Sequence, residues 1–113
     1  MEFLANLKNE FVEGMHIHKL AIVKGSSYDL VGIRAHRPYP EHFHKKSKAV
    51  FYIIYGEGKI ILNGKKENYL DGSVFSIPRG MKHGFEPLSD TLFLSIQTPP
   101  IKHAKTGKED VNF

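Results

Sequence analysis

The sequence contains no cysteine. That excludes thiolate catalysis, disulfide bridges and cysteine-based zinc sites in one step, and it fits a reducing, cytoplasmic setting. No apolar run approaches the roughly 20 residues that cross a bilayer, and the N-terminus lacks the pattern of a signal peptide, so no membrane partner is expected. Internal repeats, low-complexity tracts and linkers are also missing. At 113 residues the expectation is a single domain over 1–113. Acidic residues are outnumbered, twelve against sixteen Lys and Arg, for a net charge of +4. The lysines are dispersed, apart from Lys45, Lys46 and Lys48 and the tail group Lys102, Lys105 and Lys108. Without a recognition motif beside them, they do not point to nucleic acid. A chain this short buries only about two-thirds of its unfolded surface, which favours a homodimer.

What is present is β texture. Phe3, Leu4, Leu7, Phe11 and Val12 recur at roughly helical spacing, so residues 2–12 are expected to form a short N-terminal helix or arm. From Met15 onward, short β-rich runs are punctuated by Gly, Pro, Asn and Asp. Strands are expected near 15–24, 28–36, 49–55, 58–63, 66–70, 73–77, 83–87 and 91–98. Turns fall at Gly25-Ser26-Ser27, Gly56-Glu57-Gly58, Asn63-Gly64, Asp71-Gly72 and Pro78-Arg79-Gly80. About eight short strands with little helix indicate an all-β sandwich or closed barrel, with its core over about 15–98 and a polar tail over 99–113. Val50–Ile54 is apolar at every position, which implies cover on both faces, from a second sheet or a subunit partner.

Seven histidines stand out. His42 and His44 lie at i and i+2, so in an extended segment both imidazoles point to one side, and Phe43 and the adjacent Glu41 point away. Such a pair is a two-ligand platform for Zn, Fe, Ni or Cu. His16 and His18 share the spacing without a third ligand and read as structural. His36 and His103 are isolated.

The segment after His44 separates the two pairs. Gly72-Ser73-Val74-Phe75-Ser76-Ile77-Pro78-Arg79-Gly80-Met81-Lys82-His83 matches every fixed position of the second cupin motif, G-x5-P-x-G-x2-H. In the first motif, G-x5-H-x-H-x4-E-x6-G, the residues His42, His44 and Gly56 match, while His36 replaces the opening Gly and Ala49 the Glu. From about residue 28 to 98 the chain therefore resembles the cupin superfamily. The resemblance implies a double-stranded β-helix, a small jelly-roll barrel that is often dimeric. It also implies a divalent metal ion (Zn, Fe, Ni or Mn) held by His42, His44 and His83 inside one mouth. Pro78-x-Gly80 would make the turn that swings His83 back toward the histidine pair.

Ala49 changes the chemistry of such a site. Three neutral imidazoles leave the full metal charge uncompensated and a position open, which favours Lewis-acid or oxygen chemistry and anionic ligands. The opposing consequence is weaker affinity and a metal-free barrel. Gln97 is a candidate for a weak ligand or a substrate hydrogen bond. Arg34 is a candidate partner for a substrate carboxylate if its strand face looks inward. Tyr52 and Tyr55 read as core or pocket lining, core being favoured. The expected function is enzymatic, on a small, oxygenated, anionic molecule, by isomerisation, tautomerisation or lyase chemistry of the sugar or uronate kind. Thr98-Pro99-Pro100 is similar to the end of small cupins that handle unsaturated uronic acids. The alternatives are a three-histidine iron dioxygenase and a non-enzymatic ligand-binding or sugar-binding cupin.

Overall fold

The computed structural model describes residues 15–101 and 111–113. The expected N-terminal helix or arm, His103 and the tail lysines lie outside the described residues. Within them the chain is all β. In order come β1 (Met15–Val23), β2 (Ser26–Ile33), β3 (Tyr39–His42), β4 (Lys48–Tyr55), β5 (Gly58–Leu62), β6 (Lys65–Tyr69), β7 (Val74–Ile77), β8 (His83–Pro87) and β9 (Thr91–Thr98).

They form two antiparallel sheets, β1-β2-β9-β4-β7 and β3-β8-β5-β6, which together make the jelly-roll barrel of a cupin. Alternation along the strands fills the space between the sheets. Ala49, Phe51 and Ile53 of β4 point inward, as do Ile60 of β5, Phe85 of β8 and Phe93 of β9. The rings of Phe85 and Phe93 stack with centroids 4.8 Å apart, and Phe51 lies 4.9 Å from Phe93. Each buried Ile or Phe of this kind contributes roughly 1.5–3 kcal/mol of transfer free energy.

Eight strand positions follow the sequence pattern, and three features differ from it. Strand β3 has no counterpart among the expected strands. It is four residues long, carries Pro40 and lies at the edge of its sheet, so it shows neither alternation nor β propensity. Strand β2 ends at Ile33 rather than at His36, because Ala35 N–H donates to the Asp90 carboxylate and His36 adopts φ 61°. It also begins at Ser26, since the turn is Lys24-Gly25, with φ of 49° and 79°. Finally, Val50–Ile54 is covered on one face only. Phe51 and Ile53 are buried, whereas Tyr52 and Ile54 are 43% and 48% exposed on the outer sheet face. Tyr52 is thus neither core nor pocket lining.

Gly56 shows why the first motif closes on glycine. Its φ is 116°, and a Cβ there would lie 2.7 Å from Thr91 Cα and 2.8 Å from the Asp90 carbonyl oxygen. Gly80 has a similar left-handed φ of 78° but open space around it. Gly80→Ala should therefore cost about 1–2 kcal/mol for the backbone alone. Gly56→Ala should add a further cost of about 1–3 kcal/mol from overpacking against backbone that cannot yield. Urea unfolding of the two variants checks the order, and equal losses would contradict it.

Candidate metal centre

Register brings the histidines together. His42 on β3 and His83 on β8 are directly opposed cross-strand partners, so both side chains must share a face. His44 follows two residues later. It is fixed by the turn after β7, where Gly80 N–H donates to the His44 carbonyl at 2.8 Å. That turn is closed by Met81 N–H donating to the Pro78 carbonyl at 3.2 Å, with Gly80 supplying the positive φ at its third position. Arg79 Nε adds a second strap to the Lys46 carbonyl at 2.6 Å. The motif residues Pro78 and Gly80 thus tie one histidine loop to the strand that carries the third histidine.

All three imidazoles are buried, with ring centroids 4.4 Å apart for His42–His83 and 5.1 Å for the other two pairs. One nitrogen from each lies within 4.8 Å of the others. The outer nitrogens are oriented by the backbone. His42 Nδ1 donates to the Pro40 carbonyl, and His83 Nδ1 to the Met81 carbonyl, each at 3.0 Å. Those bonds assign the Nδ1–H tautomer and leave Nε2 as a lone pair, the arrangement that metal-ligating histidines show. His42 Nε2 accepts from the Tyr39 hydroxyl at 3.1 Å, whereas His83 Nε2 is buried without any hydrogen-bond partner. A buried acceptor left without a donor costs about 1–3 kcal/mol. A cation shared by the three lone pairs removes that cost, so the donor set fits a divalent metal ion.

The electrostatics agree. Burial pushes the His42 pKa down to about 4 and that of His83 down to about 3, and each histidine's neighbours in the cluster oppose a second charge. At neutral pH these imidazoles are uncharged and can coordinate. Burial also pushes the Tyr39 phenol up, so it remains a donor. The exposed side chains Lys45, Lys46, Arg79 and Lys82, on the β3–β4 and β7–β8 connections, and Lys48, at the start of β4, give the rim beside the cluster a positive charge.

Behind His44 lies a cavity of about 50 Å³, also lined by Tyr39, Phe51, Asp29, Ser95 and Gln97. Gln97 is therefore brought to the site. It accepts from Ser27 Oγ and donates to Ser95 Oγ, both at 2.6 Å. Ala49 sits beside it, as the cross-strand partner of Gln97. Arg34 is not brought there. It is exposed beyond the end of β2, where Ile33 pairs with Thr91, while Gln97 pairs with Ser27 at the other end of the same ladder. That placement gives no support to a role for Arg34 at the histidines. His36 lies with Arg34, and His16 and His18 stand on β1 apart from the cluster. Asp29, Ser95 and Tyr39 were not singled out from sequence. The available signal was polar Ser27 and Asp29 alternating with Val31 on one strand face.

The two lowered histidine pKa values have a consequence for stability. Unfolded histidine titrates near 6.5, so below that pH the unfolded chain binds protons that the native imidazoles refuse. The metal-free protein should hold its stability above about pH 6.5 and lose on the order of 2–5 kcal/mol as the pH falls through about 4. His83→Leu should flatten that loss in urea unfolding at stepped pH. An unchanged slope would show that burial of these rings is not its source.

Comparison with known proteins agrees with this architecture. A cupin domain family model matches residues 30–96. KdgF from a Halomonas species is 21% identical, with a TM-score of 0.75 over 80% of this chain and 84% of that one. An RmlC-like cupin from Shewanella frigidimarina is 16% identical, with a TM-score of 0.74 over 84% and 86%. A mutant form of salicylate 1,2-dioxygenase from Pseudoaminobacter salicylatoxidans is 13% identical with a TM-score of 0.73, over 77% of this chain but only 27% of that longer one. A search of curated protein sequences gave no match. With the motif pair, the barrel topology and the family match in place, the chain belongs to the cupin family.

Proposed function

We propose that this protein is a metal-dependent enzyme that acts on a small, oxygenated, anionic molecule by isomerisation, tautomerisation or lyase chemistry of the sugar or uronate kind. The observation that carries this reading is three buried imidazoles with nitrogens at ligand spacing, beside a rim of Lys and Arg. His42, His44 and His83 would hold the ion. When bound, a divalent ion supplies Lewis-acid polarisation of a carbonyl or enol oxygen.

The chain's own residues do the rest. Lys45, Lys46, Lys48, Arg79 and Lys82 draw an anion toward the mouth. The Tyr39 hydroxyl, kept protonated by burial, can donate to an oxygen that gains negative charge. Gln97 is held rigidly by Ser27 and Ser95 and orients the substrate's polar groups. The apolar wall of Phe51 and Phe93 keeps bulk water from the reacting atoms. A second reading, oxygen-dependent cleavage at iron, is favoured by a histidine group that includes no carboxylate among the described residues.

Metal analysis of protein purified without added metal tests both readings. Near-stoichiometric zinc, nickel or manganese, lost in His42→Ala and His83→Ala, is the expected result. Iron with oxygen consumption would select the second reading instead. A metal content near zero, unchanged in those variants, would leave a non-enzymatic ligand-binding cupin. In the same assay Ala49→Glu should slow metal loss to a chelator, since it adds a carboxylate beside Gln97 on the inner face.

We also infer a homodimer. Tyr52 and Ile54 of β4 and Val74 of β7, 54% exposed, leave an apolar strip on the outer sheet face, where Tyr52 and Val74 are cross-strand partners. Sedimentation of the native protein should give twice the chain mass, and Tyr52→Lys with Ile54→Lys should give a monomer. A native monomer would remove the inference.

A further inference from the structure

The inner face of the five-stranded sheet is mostly apolar, with a polar corner at the end nearer the histidines. Ser27 and Asp29 of β2 lie opposite Gln97 and Ser95 of β9, and all four side chains are buried. Three of them largely satisfy each other. Ser27 Oγ donates to Gln97 Oε1, and Gln97 Nε2 donates to Ser95 Oγ. Gln97 also lies near the Asp29 carboxylate and favours its charged form. A carboxylate has about four lone-pair sites, so Asp29 keeps acceptor capacity directed into the cavity it shares with His44. Burial raises its pKa, and Lys19 and Gln97 oppose that shift by favouring the charged form.

This corner and the rim of the mouth have opposite preferences. The rim carries Lys45, Lys46, Lys48, Arg79 and Lys82, which attract an anion. Asp29 is 7% exposed, and as a carboxylate it presents only acceptors, so in that form it attracts hydroxyl donors and repels an anion. The cavity that Asp29 shares with His44 is about 50 Å³. Against about 30 Å³ for one water, that admits a single hydroxyl or hydroxymethyl group. A ligand with a carboxylate at each end would bury one of them against Asp29, whereas a hydroxylated monocarboxylate would not.

We propose that Asp29, beside Gln97 in the same cavity, is a specificity-determining residue that receives the neutral, hydroxylated end of the ligand. A sugar acid then enters with its single carboxylate toward the three histidines and the basic rim. This rests on the reading of the site as one for small anionic molecules, and it adds both an orientation and an exclusion. Dicarboxylates are rejected by charge rather than by size.

Galactonate and galactarate test this directly, because they differ only in a terminal hydroxymethyl group against a carboxylate. Calorimetric titration of the zinc-loaded protein should show galactonate binding on the order of tenfold tighter, the discrimination that one repulsive contact supplies. Asp29→Asn keeps the shape and removes the charge. It should bring the two ligands to within about threefold of each other, with zinc content unchanged. Equal affinities in the native protein, or a preference that survives Asp29→Asn, would overturn the assignment of Asp29 alone. Binding of neither ligand would overturn the sugar-acid reading of the site, and the Asp29 assignment with it.

Discussion

Burying three imidazoles face to face in a barrel of this size is the constraint on which the rest of the structure depends. His42 and His83 must be uncharged, because burial above all, and then the neighbouring rings, oppose a proton and bring His42 to about 4 and His83 to about 3. The outer nitrogens of His42 and His83 must also be spent on fixed acceptors so that the inner lone pairs converge, which Pro40 and Met81 provide through their carbonyls. The result is a cluster that is costly when empty, since His83 Nε2 has no donor. A cation is the one kind of partner that satisfies three converging lone pairs together. The motif turn at Pro78–Met81, the strap to His44 and the short edge strand β3 follow from that demand. Each sets the position of one ring against another.

Much of this was legible in the sequence because turn chemistry and ligand spacing are local properties. Gly72, Pro78, Gly80 and His83 need only a tight turn between two strands to do their work. Alternation alone places His42 and His44 on one side. Cross-strand placement was less legible. Strand β3 escaped because Pro40 and Glu41 carry no apolar period, although its pairing is what sets His42 opposite His83. Arg34 was placed on the face of a strand that ends one residue before it, because the Asp90 and Pro87 contacts that turn the chain out come from distant sequence. Asp29 was overlooked for a related reason. A single acid in a strand reads as surface until its partner strand shows it facing Ser95 and Gln97.

Val50–Ile54 illustrates a limit of composition. An all-apolar strand suggested two covered faces, yet Tyr52 and Ile54 look outward from the sheet. Composition reports that both faces are suited to burial, and a single chain supplies cover for one.

The two ends of the barrel carry different sets of exposed charge. At the far end, Glu57, Asp71 and Asp90 surround the β4–β5 and β8–β9 connections. At the histidine end the exposed charges are mainly Lys and Arg. Inside that mouth, the sign reverses again over the depth of one small cavity, from lysine rim to neutral imidazoles to the Asp29 carboxylate. Attraction at the rim selects for charge, and repulsion at the floor selects against a second charge. Because Ala49 stands where the family motif has a carboxylate, Asp29 is the acid that lines the cavity beside His44, and it lies outside the group of ligand-spaced nitrogens. The negative charge that a fourth ligand would have placed on the ion is located instead where it can contact the far end of the ligand.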